Sequence, residues 1–321
     1  MSHEVTLIPG SGAGPALAEI AREVLAHAGV QVQWDVQPCT DLDVSGAAAS
    51  VRRTGVALKG ALAAPVRVGK LPPSLQLRKE LGVHTIVRHV KHVPGLPARA
   101  PETDVVIIRE ASEDIYSGFE HQSTAGVFES VKVTTRAACE RITNFAFAYA
   151  KAHGRGRVTT VHKANIMKKA DGLFLSVGRE VAAKHPEIRH DDVIVDALCM
   201  KFVRRPRDFD VLVCGNLFGD IVSDCAAGMA GGPTVAIGTS LGPDVTLFET
   251  AYGCGRDAEG AANPYPFVLL AGQLASHLGN ADAGARIRRA VETCLTGGLH
   301  TVDMGGTATV ASVREALLKA L

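Results

Sequence analysis

The sequence has few aromatic side chains and no excess of charge of either sign. Phe, Trp and Tyr make up 5% of the 321 residues, and the formal net charge is +1 at pH 7. A near-neutral chain has no global attraction to nucleic acid or to a membrane surface, so any anion-binding site must be local. Scarce aromatics with 46% hydrophobic residues predict a globular core built from aliphatic side chains.

Paired-cysteine motifs, a secretory leader and long apolar runs are also missing. The seven cysteines are scattered, odd in number and never spaced as CxxC, which argues against a disulfide framework or a zinc site. The N-terminal MSHEVTLIPG has no charged-then-apolar leader, and no apolar run approaches the length of a membrane span. We therefore expect reduced thiols, a cytoplasmic location, and no nucleic-acid or membrane partner.

Short β-branched runs alternate with longer amphipathic segments along the chain. Buried strands are predicted at residues 5–8, 104–108, 158–161, 193–195 and 211–213. Helices are predicted at 15–27, 169–184, 266–278, 283–295 and 308–321. The alternation predicts an α/β protein in which helices cover a sheet. Because the chain is long for one core, the glycine- and proline-rich segments 92–101 and 228–242 are candidate crossovers between two lobes.

The segment IPGSGAGP, residues 8–15, lies between a predicted strand and a predicted helix, where dinucleotide-binding loops occur. Its glycines fall at 10, 12 and 14, so the third is one residue short of GxGxxG. Pro15 stands where the fingerprint has glycine, and no clear acidic residue ends a second strand at the expected distance. A tight strand-to-helix turn is therefore favoured over a Rossmann pyrophosphate loop.

Three arginines lie in motifs that would suit a carboxylate clamp. Arg78 is in SLQLRKEL, Arg88 is in TIVRHVK, and Arg109 directly follows the predicted strand DVVII. Guanidinium groups pair bidentately with planar anions, so three on one cleft would bind carboxylates. Taken singly, each arginine is explained as a solvated charge. Because the sequence does not show that the three converge on one cleft, the residues alone favour that explanation.

Tyr116 in REASEDIYSG and Lys163 in VHKANIMKK each follow a predicted strand. Loops in this position carry functional residues in α/β folds. A tyrosine and a lysine that face a substrate could exchange protons with it. A half-buried structural tyrosine and a surface lysine are the commoner explanation of the same pattern.

The segment NLFGDIVSD, residues 216–224, places Asp220 and Asp224 four residues apart among apolar neighbours. In a helix the two carboxylates share one face and repel each other unless a cation lies between them. Oxygen ligands suit Mg²⁺ or Mn²⁺, and Asp196, which ends the predicted strand VIVD, is a candidate third ligand. The alternative is a pair of aspartates at a helix start that interact with the helix dipole.

Together these motifs resemble the β-decarboxylating hydroxyacid dehydrogenases, the family of isocitrate, homoisocitrate and isopropylmalate dehydrogenases. The resemblance spans nearly the whole chain in order and spacing, and it is carried by IPGSGAGP, LRKEL, IVRHV, REASEDIYSGFEH, VHKANIMKKADGLF, NLFGDIVSDCAAGMAGG and FETAYG…AANP. REASEDIYSG and HKANIMK are most similar to the isocitrate branch. The implied fold is α/β, two-lobed and non-Rossmann, with a cofactor-binding lobe (1–97 and 236–321) and a smaller lobe (98–235) that carries the dimer interface and the metal aspartates.

The resemblance also implies a role for each candidate residue. The substrate-binding residues would be Ser74, Arg78, Arg88 and Arg109. The ligands of Mg²⁺ or Mn²⁺ would be Asp220, Asp224 and the partner's Asp196. The acid/base pair would be Tyr116 and the partner's Lys163, so that a homodimer shares its active sites.

The same resemblance predicts NAD as the cofactor. It places four residues at the cofactor: Glu249, Gly253, Asp257 and Asn263. Asp257 stands where an aspartate of the family binds the adenosine ribose, and its charge would repel the 2′-phosphate of NADP. Arg256 beside it, a shortened loop, and Tyr252 in place of a histidine depart from the family pattern.

The implied activity is the NAD- and metal-dependent oxidative decarboxylation of a 2-hydroxy-3-carboxy acid of the isocitrate or homoisocitrate type. The segment RVGKLPPSLQLR departs from the family where the variable group of the substrate is bound. Leu71 and Pro72 replace an acidic residue or serine, and Arg67 and Lys70 add positive charge. A phosphonate analogue of isocitrate, of the phosphonomethylmalate type met in antibiotic biosynthesis, is therefore an alternative substrate. Drift in a loop explains the same departures equally well.

A rival hypothesis from another class is a non-catalytic regulatory subunit of a hetero-oligomeric isocitrate dehydrogenase. The segment IVRHVKHVPG also resembles that type of subunit. However, the three arginines, the three aspartates, Tyr116 and Lys163 are all present, whereas degenerate subunits usually lose some of these residues. The sequence therefore favours an enzyme.

Overall fold

The structure is a computed structural model that describes residues 3–39, 43–63, 71–252 and 262–321. Its strands are β1 (His3–Ile8), β2 (Val32–Val36), β3 (Val56–Lys59), β4 (Thr85–Lys91), β5 (Asp104–Glu110), β6 (Glu120–Thr124), β7 (Val127–Ser130), β8 (Arg157–His162), β9 (Arg189–Ile194), β10 (Val211–Cys214), β11 (Ile237–Leu241) and β12 (Thr246–Thr250). Its helices are α1 (Gly14–His27), α2 (Ser45–Thr54), α3 (Pro73–Glu80), α4 (Arg136–Ala152), α5 (Ala170–Ala182), α6 (Val195–Arg204), α7 (Asn216–Ala230), α8 (Tyr265–His277), α9 (Ala281–Thr296) and α10 (Val310–Ala320). The alternation confirms the predicted α/β class.

Three element boundaries differ from the sequence-based prediction at candidate site residues. β5 extends to Glu110, so Arg109 lies inside the strand rather than after it. β9 ends at Ile194, so Asp196 lies in the first turn of α6 instead of ending a strand. α7 begins at Asn216, so Asp220 lies beyond the first turn of its helix.

By its internal contacts the chain divides into two compact units. Unit one comprises Met1–Gly82, His92–Arg99 and Gly231–Leu321. Its strands follow the order β2-β1-β3-β12-β11, parallel except for the antiparallel pair β11–β12. Helix α8 is apolar on nearly all sides and packs against α1 and α9, as expected of a helix that lies within a core. None of the helices in the described ranges combines the length and apolarity that crossing a bilayer requires.

Unit two comprises Val83–Lys91 and Ala100–Ala230. Its strands follow the order β4-β5-β10-β8-β9, parallel except for β4–β5, while β6 and β7 form a separate hairpin. β10 and the middle of β5 are fully buried, which explains why they appear as continuous apolar runs. The predicted division placed residues 83–91 in the other lobe, whereas their internal contacts place them in unit two, where β4 pairs with β5.

The turn between β1 and α1 packs too closely to accept side chains at two of its glycines. A Cβ at Gly10 would lie 2.7 Å from the carbonyl oxygen of Ala61, and one at Gly14 would lie 2.4 Å from that of Pro9. The backbone N–H of Ser11 donates to the carbonyl of Ala61 at 2.9 Å. Gly10 and Gly14 of IPGSGAGP are therefore explained by tight packing in a strand-to-helix turn, the reading that the sequence favoured.

Candidate active site

Arg109 is buried near the end of β5, and helix α7 supplies the partners of its guanidinium. Its Nε and Nη2 donate to Oδ1 of Asn216 at 2.9 and 2.7 Å, and its Nη1 donates to Asp220. Burial of a guanidinium without such partners would cost free energy, so Asn216 and Asp220 of α7 stabilise the buried position of Arg109. Asn216 was not among the predicted site residues, and its position between a buried strand and a helix was the available signal.

Asp220 and Asp224 lie one turn apart on α7 and flank a single guanidinium. Arg88 Nη1 is 3.2 Å from Oδ1 of Asp224, and its Nη2 is 4.0 Å from Oδ1 of Asp220. The Arg88 side chain is only 7% exposed, whereas the aspartates are 33% and 37% exposed. Because the helix dipole acts within the first turn, a helix-start role does not explain these two carboxylates.

The hydroxyl of Tyr116 contacts the same aspartate as Arg109. Tyr116 lies in the short 3-10 turn Ile115–Ser117, and its OH donates to Oδ2 of Asp220 at 2.5 Å. Its ring centroid is 5.0 Å from the guanidinium carbon of Arg109. Burial and the hydrogen bond to Asp220 raise the pKa of Tyr116 to about 12. The phenol is therefore protonated at neutral pH, and its hydroxyl is available as a hydrogen-bond donor.

The oxygen donors of Asp220 and Asp224 fit a hard divalent cation. The two carboxylates converge on one cationic group, Arg88, and carboxylate oxygens are the protein ligands that Mg²⁺ and Mn²⁺ prefer. Within the described ranges, no group of three or more His, Cys, Asp or Glu side chains is positioned to hold a metal. One chain therefore brings two of the predicted ligands together and does not add Asp196 to them.

Lys163 and Asp196 form a second cluster in unit two. The Nζ of Lys163, which follows β8, donates to Oδ1 of Asp196 at 2.6 Å. This hydrogen bond from Lys163 lowers the pKa of Asp196, whose side chain is 68% exposed. The structure thus brings together the two residues that the resemblance assigned to the partner's site.

Arg78, in unit one, pairs with Glu249 of β12. Its Nε and Nη2 donate to Oε1 of Glu249 at 3.0 and 2.8 Å, while Lys59 Nζ donates to Oε2 at 3.0 Å. The hydroxyl of Ser240 also donates to this carboxylate. Burial alone would raise the pKa of Glu249, but Arg78 and Lys59 hold it well below its usual range. Both carboxylate oxygens of Glu249, a predicted cofactor residue, thus accept hydrogen bonds within unit one. Lys59 was not among the predicted site residues.

Asn263, the second described residue assigned to the cofactor, is buried two residues before the start of α8. Its amide donates to the hydroxyl of Thr234 at 2.8 Å and to Asp303 at 2.9 Å. Its side-chain carbonyl accepts from the backbone N–H of Tyr265 at 2.9 Å. The side chain therefore fixes the local fold of unit one.

Some predicted residues fall outside the described part of the chain. They are Arg67, Lys70, Gly253, Arg256 and Asp257. Ser74 is described and lies in the first turn of α3, partly exposed, while Leu71 and Pro72 before it are exposed.

Comparison with protein families gives a match over nearly the whole chain. The family model described as "Isocitrate/isopropylmalate dehydrogenase" matches residues 4–317. The "Isocitrate dehydrogenase [NAD] catalytic subunit 5, mitochondrial" of Arabidopsis thaliana is 41% identical over 97% of this chain and 87% of its own length. The "Isocitrate dehydrogenase [NAD] regulatory subunit 1, mitochondrial" of the same plant is also 41% identical, over 99% and 89%. Sequence identity therefore does not separate the catalytic from the regulatory type.

Other relatives have names that refer to a different substrate and a different compartment. The "3-isopropylmalate dehydrogenase, chloroplastic" of Solanum tuberosum is 42% identical over 91% of this chain and 85% of its own length. A crystal structure of isocitrate dehydrogenase from Methylococcus capsulatus is 38% identical, with a TM-score of 0.94 and 99% of both chains covered. The organelle names of these plant relatives do not confirm the cytoplasmic prediction. The chain belongs to the isocitrate/isopropylmalate dehydrogenase family.

Proposed function

We propose that this chain is an NAD- and divalent-metal-dependent dehydrogenase that oxidatively decarboxylates a 2-hydroxy-3-carboxy acid of the isocitrate type. The observation that carries the proposal is the convergence, within unit two, of Arg88, Arg109, Tyr116, Asp220 and Asp224. Two carboxylates for a metal, two buried guanidinium groups for an anion and a protonated phenol are the groups that this reaction uses. The names of NAD-dependent isocitrate dehydrogenases among the relatives support the cofactor and the substrate class.

Asp220 and Asp224 would hold Mg²⁺ or Mn²⁺ together with the partner's Asp196. When bound, the metal and NAD supply Lewis-acid polarisation of the substrate oxygen and the acceptor of the hydride. Arg88 and Arg109 are buried and oriented by α7, so they can donate to substrate carboxylates with little loss of side-chain freedom.

Arg78 and Ser74 keep their assignment as substrate-binding residues in the proposal. Glu249 accepts from two nitrogens of Arg78 and so fixes the direction of its guanidinium. Glu249 would therefore assist binding by orienting Arg78, in addition to the cofactor role that the resemblance gives it. Gly253, Asp257 and Asn263 complete the proposed NAD-binding set.

Two residues would move protons. The phenol of Tyr116, kept protonated by burial and by Asp220, would donate to the carbon that loses CO₂. The partner's Lys163 would receive the proton of the substrate hydroxyl. The acid and the base would thus come from different chains.

A homodimer with shared active sites is part of the proposal. In one described chain, Asp196 and Lys163 pair with each other, and Asp196 does not join the cluster of Asp220 and Asp224. The hairpin β6–β7 and its flanks carry exposed apolar side chains at Phe119, Val127, Phe128 and Val131. Exposed apolar groups of this kind are typical of a surface that a second subunit covers.

NADH absorbance and CO₂ release, measured with Mn²⁺ and a panel of acids, test the function. The panel contains isocitrate, homoisocitrate, isopropylmalate, malate, tartrate and a phosphonomethyl analogue of isocitrate, each with NAD and with NADP. We expect the fastest turnover with an isocitrate-type acid and NAD, accompanied by CO₂. Faster turnover of the phosphonate would reassign the substrate. If no acid were turned over although the acids still bound, the regulatory-subunit hypothesis would be favoured. An Asp220→Asn variant gives the background rate of the assay.

A further inference from the structure

Two buried aspartates in unit two share one lysine that belongs to no predicted site. Lys132 lies between β7 and α4, and its Nζ is 2.8 Å from Oδ1 of Asp171 and 3.6 Å from Oδ2 of Asp114. Each aspartate side chain is 4% exposed and the lysine is 18% exposed. The ammonium also lies 4.9 Å from the ring centroid of Phe218. We call Asp114, Lys132 and Asp171 the ion triad.

The Asp114 end of the ion triad holds the segments of the proposed acid and of the metal aspartates. Its Oδ1 accepts from the backbone N–H of Ile115 at 2.8 Å, immediately before Tyr116. Its Oδ2 accepts from the backbone N–H of Leu217 at 3.1 Å, in the first turn of the helix that carries Asp220. The carboxylate therefore ties the turn of Tyr116 to the start of α7.

The backbone of Asp114 adds an independent observation. Asp114 is the only non-glycine residue with a positive φ among the described residues. Its φ of 75° and ψ of −155° lie in a region that favours glycine. Its N–H donates to the carbonyl of Val133 at 3.0 Å, next to Lys132 in the chain. A strained residue keeps such a conformation only when its surroundings hold it there, so this segment restrains Asp114 through both main chain and side chain.

The Asp171 end of the ion triad holds the segment of the proposed base. Oδ2 of Asp171, in the first turn of α5, accepts from the backbone N–H of Lys163 at 2.6 Å. Its other oxygen, Oδ1, contacts Lys132. The position of the Lys163 main chain thus depends on an aspartate that Lys132 neutralises.

We propose that Lys132 is a positioning residue that holds Tyr116 of its own active site and, at the same time, the Lys163 that its chain gives to the partner's site. The inference rests on the proposed function, which makes these residues the acid and the base and shares them between subunits. Lys132 acts through Asp114 and Asp171 and contacts neither of the two residues that it positions. Without its charge, two buried carboxylates lose their common cation, and the segments that they hold shift.

Steady-state kinetics of Lys132→Met and Lys132→Arg test this role. We expect the Met variant to lower kcat by about 10- to 100-fold, because it misplaces the proton-transfer groups, and to change KM by a smaller factor. The Arg variant keeps the charge and should restore most of kcat. Lys151→Met, which removes an exposed lysine of the same unit, should leave both constants unchanged. An unchanged kcat in folded Lys132→Met would overturn the proposal.

A charge-balanced variant keeps the test valid if Lys132→Met does not fold. Lys132→Met with Asp171→Asn removes one buried charge of each sign, so it should retain the fold better than the single change. Circular dichroism and thermal unfolding check the fold. A folded double variant with reduced kcat supports the positioning role, and one with the wild-type kcat refutes it.

Subunit mixing separates the two ends of the ion triad and also separates this proposal from the proposed function. Tyr116→Phe and Lys163→Met homodimers should be inactive, and mixing them should restore one working site per heterodimer. Lys132→Met is then added to the Lys163→Met chain, which supplies Tyr116, or to the Tyr116→Phe chain, which supplies Lys163. We expect the rate to fall when Lys132→Met is on either chain. If Lys132→Met on one of the two chains left the rate unchanged, the proposal would be overturned. No recovery in the unmodified mixture would refute shared sites instead, and the homodimer kinetics would then decide the role of Lys132.

Discussion

Gly219 of α7 lies directly against Arg109 of β5. A Cβ at position 219 would lie 2.7 Å from Cγ and 2.8 Å from Cβ of the arginine, distances at which one of the two must move. The missing side chain lets α7 approach the strand closely enough for Asn216 and Asp220 to contact the guanidinium. The glycine of NLFGD is therefore a packing requirement of the site.

Substitution of this glycine should damage stability and activity together. We expect Gly219→Ala to lower the free energy of unfolding by about 1–3 kcal/mol, since the added methyl overpacks the contact with Arg109. The shift of α7 should reduce kcat/KM as well. Gly228→Ala in the same helix is the matched control, because nothing lies within 4 Å of its added Cβ. It should stabilise by about 0.5–1 kcal/mol, and equal effects of the two changes in urea unfolding would contradict this view.

Removal of the proposed metal ligand Asp220 should weaken metal binding. Asp220→Asn takes away a ligand charge, and we expect kcat/KM to fall by about 10³-fold, equivalent to several kcal/mol of lost charge stabilisation. Mn²⁺ titration followed by electron paramagnetic resonance measures the affinity directly. Asp208→Asn, at an exposed aspartate in a surface turn of the same unit, is the control. Wild-type Mn²⁺ affinity in Asp220→Asn would exclude this carboxylate as a ligand.

Acid should weaken unit one through Glu249. Its pKa in the folded protein lies below the ordinary value of 4.5, so the stabilisation is complete above about pH 4.5 and is lost as pH falls through the lowered pKa. Glu249→Gln should remove this pH dependence. At pH 7 it should cost about 3–5 kcal/mol, because Lys59 and Arg78 lose their common anion. Thermal unfolding from pH 7 to pH 3 measures both effects.

The matched control for this change is Glu315→Gln, at an exposed residue of α10. It should leave the unfolding temperature and its pH profile close to those of the wild type. A Glu249→Gln profile parallel to the wild-type profile would show that Glu249 does not contribute to acid sensitivity.

A charge on the exposed hairpin should dissociate the proposed dimer. Phe128→Asp places a carboxylate in the apolar surface of β7, which should weaken association by about 2 kcal/mol or more if Phe128 is a central contact. Activity should fall with the dimer, because in the proposed function each site needs the partner's Lys163. Sedimentation measures the mass. Val36→Asp, at an exposed apolar residue of β2, should leave the mass unchanged, and an active Phe128→Asp dimer would move the interface elsewhere.

Much of the fold follows from local pattern. β10 and the apolar run of β5 are buried on both faces, so each has a continuous apolar sequence that predicts a strand without knowledge of its neighbours. The prediction failed at the ends of such runs, where Arg109 continues β5 and Asp196 starts α6. At those positions, ladder hydrogen bonds and helix contacts decide the conformation, and side-chain pattern does not report them.

The candidate site shows the same division between sequence and tertiary structure. The chain alone identified Asp220 and Asp224 as carboxylates on one helix face, because a spacing of four residues has a fixed geometry in a helix. That Arg88 lies between them, and that Arg109 and Tyr116 meet on Asp220, required strands and turns distant in sequence to pack against α7. Lys132 gave no sequence signal, since its role depends on two aspartates brought to it by separate segments. The spacing of residues along a helix or strand can be read from neighbouring positions in the sequence. Ion pairs between distant residues form only when the folded structure brings those residues together.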